Sequence, residues 1–124
     1  MKVAVTAEGT DLNSSVAPHF ARARYFLVFD LGSKESIVRS NTDLQLISHL
    51  AGTQAAGSLV SLEVDAVLTM NIGPRAYTTL KSAGVRVLQA KPGSVGETID
   101  LYQDGQLMEL SGPNVEEYWS QQGG

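Results

Sequence analysis

The apolar residues of this chain keep a strand period through three runs and then change to a helical one, after which strand and helix alternate, and that pattern restricts the fold more than any single motif. Before the change, Val3-Ala4-Val5-Thr6-Ala7 is a short, nearly continuous apolar run, as in a strand buried on both faces of a sheet. Tyr25–Phe29 is aromatic and β-branched, and Ser36–Arg39 alternates as a partly exposed strand. The turn at Leu31–Glu35 between them predicts an antiparallel hairpin. After the change, Ala51, Ala55, Leu59 and Leu62 recur at spacings of four, four and three, one face of a helix. Asp65–Met70 then reads as a strand. A helix follows that starts at Pro74 and carries Ala76, Tyr77, Leu80 and Ala83 on its apolar face. Gly84 suits its end, and Val85–Leu88 is a further strand. Ser94 and Glu97 have the spacing of a capping box, which opens a third helix through about Tyr102, closed by Asp104-Gly105.

The order is therefore β-β-β-α-β-α-β-α. With right-handed crossovers for the later strands, the economical arrangement is a mixed five-stranded sheet in the order 3-2-1-4-5. Strand 2 runs antiparallel and helices cover the faces. This is an RNase H-like α/β topology. Residues 1–110 form one domain in this reading, and 111–124 a polar, flexible tail. At 124 residues the chain has room for a single core.

Composition excludes several classes. With no cysteine there is no disulfide framework, thiol nucleophile or iron–sulfur cluster held by protein thiolates. A net charge of −4 opposes the counterion release on which nucleic-acid binding depends. No apolar run approaches the ~18 residues of a membrane helix and no targeting signal is visible, so the expected setting is the cytoplasm, away from membranes. A nuclease of this topology needs clustered carboxylates to hold two metal ions. The first strand has none, and Asp30, Asp65 and Asp100 do not converge. No nucleophile elbow and no phosphate-binding glycine fingerprint is present. The chain is thus expected to bind rather than catalyse.

Strand direction locates the binding. Segments 8–23, 40–50, 71–75 and 89–94 all follow parallel strands and emerge at one edge, where open α/β sheets take ligands. Both histidines, His19 and His49, fall there, with Arg22, Asn71, Arg75 and Lys91. The blander reading makes His49 a helix-opening residue beside Ser48, His19 a solvated loop residue and Gly73 a mere turn former. The loop from Glu8 to about Arg22 is long for a compact domain, and such loops tend to be functional or mobile. Asn71-Ile72-Gly73-Pro74-Arg75 places backbone N–H groups near Gly73 at a helix start, which suits an anion.

Ser15-x-x-x-His19-Phe20-Ala21-Arg22-Ala23-x-Tyr25-Phe26, after an N-terminal strand, resembles the S…HFGRA..F segment of the dinitrogenase iron–molybdenum cofactor-binding family. That family includes NifX- and NafY-like proteins, part of NifB-like proteins, and small relatives such as the molybdenum–copper orange protein. His49-x-x-Gly52, Ile72-Gly73-x-x-Ala76 and Leu80-x-x-x-Gly84-Val85-x-Val87 are similar to its later blocks, so the resemblance spans roughly residues 1–108. It implies an RNase H-like fold. It also implies reversible binding and carriage of a preformed molybdenum-containing metal–sulfur cluster, iron–molybdenum or molybdenum–copper, between a donor and a recipient protein. His19 matches the family's loop histidine and is the implied metal ligand; His49 matches a second frequent position. Arg22, Arg24 or Arg75, Asn71 and the backbone near Gly73 are placed to bind an anionic cluster. Ala21 stands where the family has glycine, which restricts positive φ there. The alternatives are a small-anion or protein-interaction module using the same edge and, less favoured, a degenerate RNase H-like nuclease.

Overall fold

The computed structural model of the protein describes residues 1–41 and 51–115. Its strands are β1 (Lys2–Ala7), β2 (Tyr25–Asp30), β3 (Ser36–Ser40), β4 (Ala66–Thr69), β5 (Arg86–Gln89) and β6 (Met108–Glu109). Its helices are α1 (Ala51–Ser61), α2 (Pro74–Ser82) and α3 (Val95–Gln103). The sheet order is β3-β2-β1-β4-β5-β6. β2 is antiparallel to β1 and β3, whereas β4 is parallel to β1 and β5 to β4. The expected five-strand order and the reversed second strand are therefore present. The difference is β6, which pairs antiparallel with β5 through Leu88↔Glu109 and Gln89↔Met108.

Alternation along the strands divides the core in two. Ala4, Phe26, Val28, Val67 and Val87 pack against Leu59 of α1 and Tyr77 and Leu80 of α2. Val3, Val5, Leu27, Leu68 and Leu88 face the other way, onto Val95 and Ile99 of α3. Burying each large aliphatic or aromatic side chain contributes roughly 1.5–3 kcal/mol. β1 is the centre, with Val3, Ala4 and Val5 fully buried. Its one buried hydroxyl, Thr6 Oγ1, is satisfied by the Ala17 carbonyl at 3.2 Å and Thr69 Oγ1 at 3.3 Å.

The helix signals act as expected. Ser94 Oγ accepts from the Glu97 N–H at 3.1 Å and the Glu97 carboxylate accepts from the Ser94 N–H at 2.9 Å, a complete capping box. Gly84 and Gly105 end α2 and α3 at φ 79° and 71°, left-handed values that favour glycine.

The long connection between β1 and β2 is strapped down rather than loose. The Ala17 N–H donates to Thr6, Val16 to Gly93, Phe20 to Asn71, and Val95 and Gly96 donate back to Ser14 and Leu12. It also brings its own core residues, with Ala17, Phe20 and Ala23 at most 1% exposed. Phe20 lies against Phe26 with ring centres 5.2 Å apart. The segment thus lies across the carboxyl ends of β1 and β4 and the turn after β5, and those turns supply the backbone partners it lacks internally.

The described residues just beyond β6, 110–115, are anchored too. The Leu110 N–H donates to Val87, Tyr77 Oη donates to the Leu110 carbonyl at 3.1 Å, and Asn114 reaches the turn between β4 and α2.

Candidate functional site

His19 sits where the β1–β2 connection crosses the end of β4. Main-chain pairing sets it beside Asn71 in a parallel bridge. The Phe20 N–H donates to the Asn71 carbonyl at 2.9 Å, and Asn71 Nδ2 donates to the Pro18 carbonyl at 2.7 Å. One asparagine therefore grips the residues on both sides of His19. The chain then turns, with the Arg22 N–H donating to the His19 carbonyl at 3.2 Å. This brings the Arg22 side chain close enough for its charge to act on the imidazole.

The histidine is half-buried and its Nδ1 has no exposed surface. Partial burial, and then the neighbouring Arg22 charge, hold the imidazole below its ordinary value of 6.5. At neutral pH the ring is uncharged, the form that offers a lone pair to a metal.

Asn71 and Lys91 lie at the same carboxyl edge and share an open cavity of about 420 Å³ with Gln89, Gln106, Met70 and Met108. Gly73 is the N-cap of α2, with φ −84° and ψ 173°, an extended conformation open to any residue. Pro74 follows in the first turn, and Arg75 is exposed one residue further on. Pro74 and Arg75 line a second recess with Thr53 of α1. Arg24 is exposed. His49 lies outside the described residues. Ala21 is not among the residues with positive φ. The glycine usual in the family is therefore not demanded by this backbone. A Cβ on Gly52 would lie 3.7 Å from the Cβ of Ala21 and 3.4 Å from that of Ala76, so small residues pack closely where the loop, α1 and α2 meet.

The carboxylates lie elsewhere. Asp30 pairs across the sheet with Lys2, and Asp65 accepts the Lys2 N–H at 2.9 Å, at the amino end of β1 and far from His19. Asp100 is exposed on α3. Among the described residues, no group of three or more His, Asp or Glu could hold a metal ion. No helix among them is long and apolar enough to cross a membrane.

Two asparagines that sequence reasoning passed over also shape this edge. Asn41 is fully buried, and its Nδ2 donates to Ala23 at 2.8 Å and Ala21 at 3.4 Å, fixing the chain just past His19. Its Oδ1 is buried and accepts no hydrogen bond from the described residues. The only sequence signal was a polar residue directly after an edge strand. Asn114 had no signal beyond its place in a polar tail. Its Oδ1 accepts from the Ile72 N–H at 2.7 Å and its Nδ2 donates to Met70 at 2.9 Å. The Ile72 N–H, expected to be open to an anion near Gly73, is therefore taken.

Fold and edge together define a small α/β protein whose described residues offer one imidazole, arginines and amides at this edge, in a chain with no thiolate. Residues 1–105 match the family model described as dinitrogenase iron–molybdenum cofactor, and the chain belongs to that family. It is similar to the apo form of the orange protein from Desulfovibrio gigas, 36% identical with a TM-score of 0.89 over 92% of this chain and 96% of that one. It is also similar to a NifB-like protein of the DUF35 family from Thermotoga, 38% identical with a TM-score of 0.77, covering 89% and 93%. An uncharacterised protein of Methanocaldococcus jannaschii is 31% identical over 110 residues, 86% of this chain and 89% of that one.

Proposed function

We propose that this protein binds a preformed, molybdenum-containing metal–sulfur cluster and carries it from a donor to a recipient protein in the cytoplasm, with His19 as the principal protein ligand. The observation that carries this reading is the partly buried imidazole of His19, whose chain neighbours are held on both sides by Asn71 at the carboxyl edge, with Arg22 close by. A chain without cysteine must take a cluster that brings its own sulfides, and imidazole is a suitable ligand for iron, copper or zinc. Such clusters are anionic. Arg22 and Arg75 provide guanidinium donors, and Asn71 and Lys91 provide polar groups along the same edge. A single imidazole with peripheral hydrogen bonds gives reversible binding, which a carrier requires. Family membership and the likeness to the orange protein and the NifB-like protein support this reading over a catalytic one.

Anaerobic titration tests it. Isolated iron–molybdenum cofactor and, separately, tetrathiomolybdate with Cu(I) are added to the protein, with molybdate alone as the control for simple anion binding. A charge-transfer band and co-elution in one of the two cluster titrations are expected. Binding of molybdate alone, with neither cluster retained, would favour the small-anion reading.

A further inference from the structure

Six hydrogen bonds relay the segment beyond β6, through the turn between β4 and α2, to the loop that carries His19. The Asn114 carboxamide bonds the main chain on either side of Asn71, accepting from Ile72 at 2.7 Å and donating to Met70 at 2.9 Å. Asn71 in turn bonds either side of His19, through Pro18 at 2.7 Å and Phe20 at 2.9 Å. The N–H groups of Asn114 and Val115 also donate to the Ile72 carbonyl, at 3.1 and 3.3 Å. The strap is held at its other end by Leu110, between Val87 and the Tyr77 hydroxyl. It lies beyond residues 1–105, the part matched by the family model.

We infer that Asn114 is a positioning residue for the cluster site: it clamps the β4–α2 turn so that Asn71 presents the His19 loop in one arrangement. The inference rests on the binding role proposed above for His19. Its physical basis is that Asn71 is a single residue between two clamped neighbours. Losing the Asn114 carboxamide leaves the Ile72 N–H without its partner and the Met70 carbonyl with only the longer bond from Gln89 Nε2 at 3.4 Å, which loosens the peptide units that aim the Asn71 carbonyl and side chain. An open turn would leave the imidazole in several positions, and a cluster would have to select one of them at a cost in affinity. Asn114 is itself exposed, so its two side-chain bonds, rather than burial, carry the effect.

The test compares native-state amide exchange in the full chain with and without Asn114→Ala. The Phe20 N–H reports the contact with Asn71. The Val16 N–H, bonded to Gly93 at 2.9 Å, reports the far end of the same loop. Exchange at Phe20 is expected to speed up by about tenfold while Val16 is unchanged. Cluster affinity in the anaerobic titration is expected to fall about three- to tenfold. Acceleration of both amides by the same factor would mean general destabilisation, and no acceleration at Phe20 would mean no clamp; either overturns the inference. If Asn114→Ala does not fold, Tyr77→Phe releases the Leu110 end of the strap and the same comparison decides, selective loss at Phe20 supporting the clamp and its absence overturning it. If wild-type protein takes up no cluster, the carrier reading fails while the exchange pattern still decides the clamp.

Discussion

Asn71 Nδ2 donates to the carbonyl of Pro18 at 2.7 Å across 53 residues of sequence, tying the turn after β4 to the residue before His19. The same residue's carbonyl accepts from Phe20. The candidate site on the long β1–β2 connection is thereby held as firmly as one built on a strand.

Asn71→Ala should therefore cost stability and binding together. Loss of the side-chain bond is expected to lower stability by about 0.5–1.5 kcal/mol. Cluster affinity should fall as the loop loosens. Urea denaturation alongside anaerobic titration measures both. Unchanged affinity with reduced stability would make Asn71 purely structural.

Phe20→Ala tests how firmly the loop is anchored. The ring is 1% exposed and packs on Phe26, so the cavity should cost about 3–5 kcal/mol. A loss below about 1 kcal/mol in denaturant melts would mean that the loop is not part of the core.

Ala21→Gly restores the residue usual in the family. Because Ala21 does not occupy positive φ, glycine relieves no strain there; it adds freedom to the unfolded chain and removes a methyl group that faces Gly52. Stability is expected to fall by about 0.4–1 kcal/mol with no gain in cluster affinity. Tighter binding by Ala21→Gly would show that the methyl group obstructs the cluster.

The capping box at α3 predicts an acid-sensitive contribution to stability. Hydrogen bonds from the Ser94 N–H and hydroxyl hold the Glu97 carboxyl below its ordinary value of 4.5 in the folded state. A depressed folded-state pKa stabilises the protein above the unfolded value, and that contribution is lost as pH falls through the lower, folded value. Asp30, held below 3.8 chiefly by the Gly32 and Ser33 N–H groups, acts in the same direction. Urea melts of wild type and Glu97→Gln between neutral pH and pH 3 should converge as the pH drops. Parallel curves would contradict the assignment.

Much of the fold was legible because local signals agreed with it. The aromatic run at Tyr25–Phe29, the Ser94/Glu97 spacing, Pro74 at a helix start and Gly84 at its end each encode their own element. β6 was not legible. It has two exposed residues, and only its partner strand β5 defines it. The packing of the His19 loop was equally hidden, since Val16, Ala17 and Phe20 are bonded through main-chain N–H groups that any residue but proline supplies. The candidate edge followed from strand direction, and it holds His19, Asn71 and Lys91. The role of Asn114 depends on a turn 42 residues away, and no local pattern marks it.

The most direct test is anaerobic cluster binding by His19→Ala, measured with thermal melts of the same samples. In the proposed site, which has no thiolate, the His19 imidazole–metal bond would dominate affinity, so binding should weaken at least about tenfold, or 1.4 kcal/mol. The loop is held by main-chain bonds and by Phe20, so folding stability should change by no more than about 1 kcal/mol. Undiminished cluster affinity in a variant that melts like wild type would contradict the assignment of His19 as the ligand.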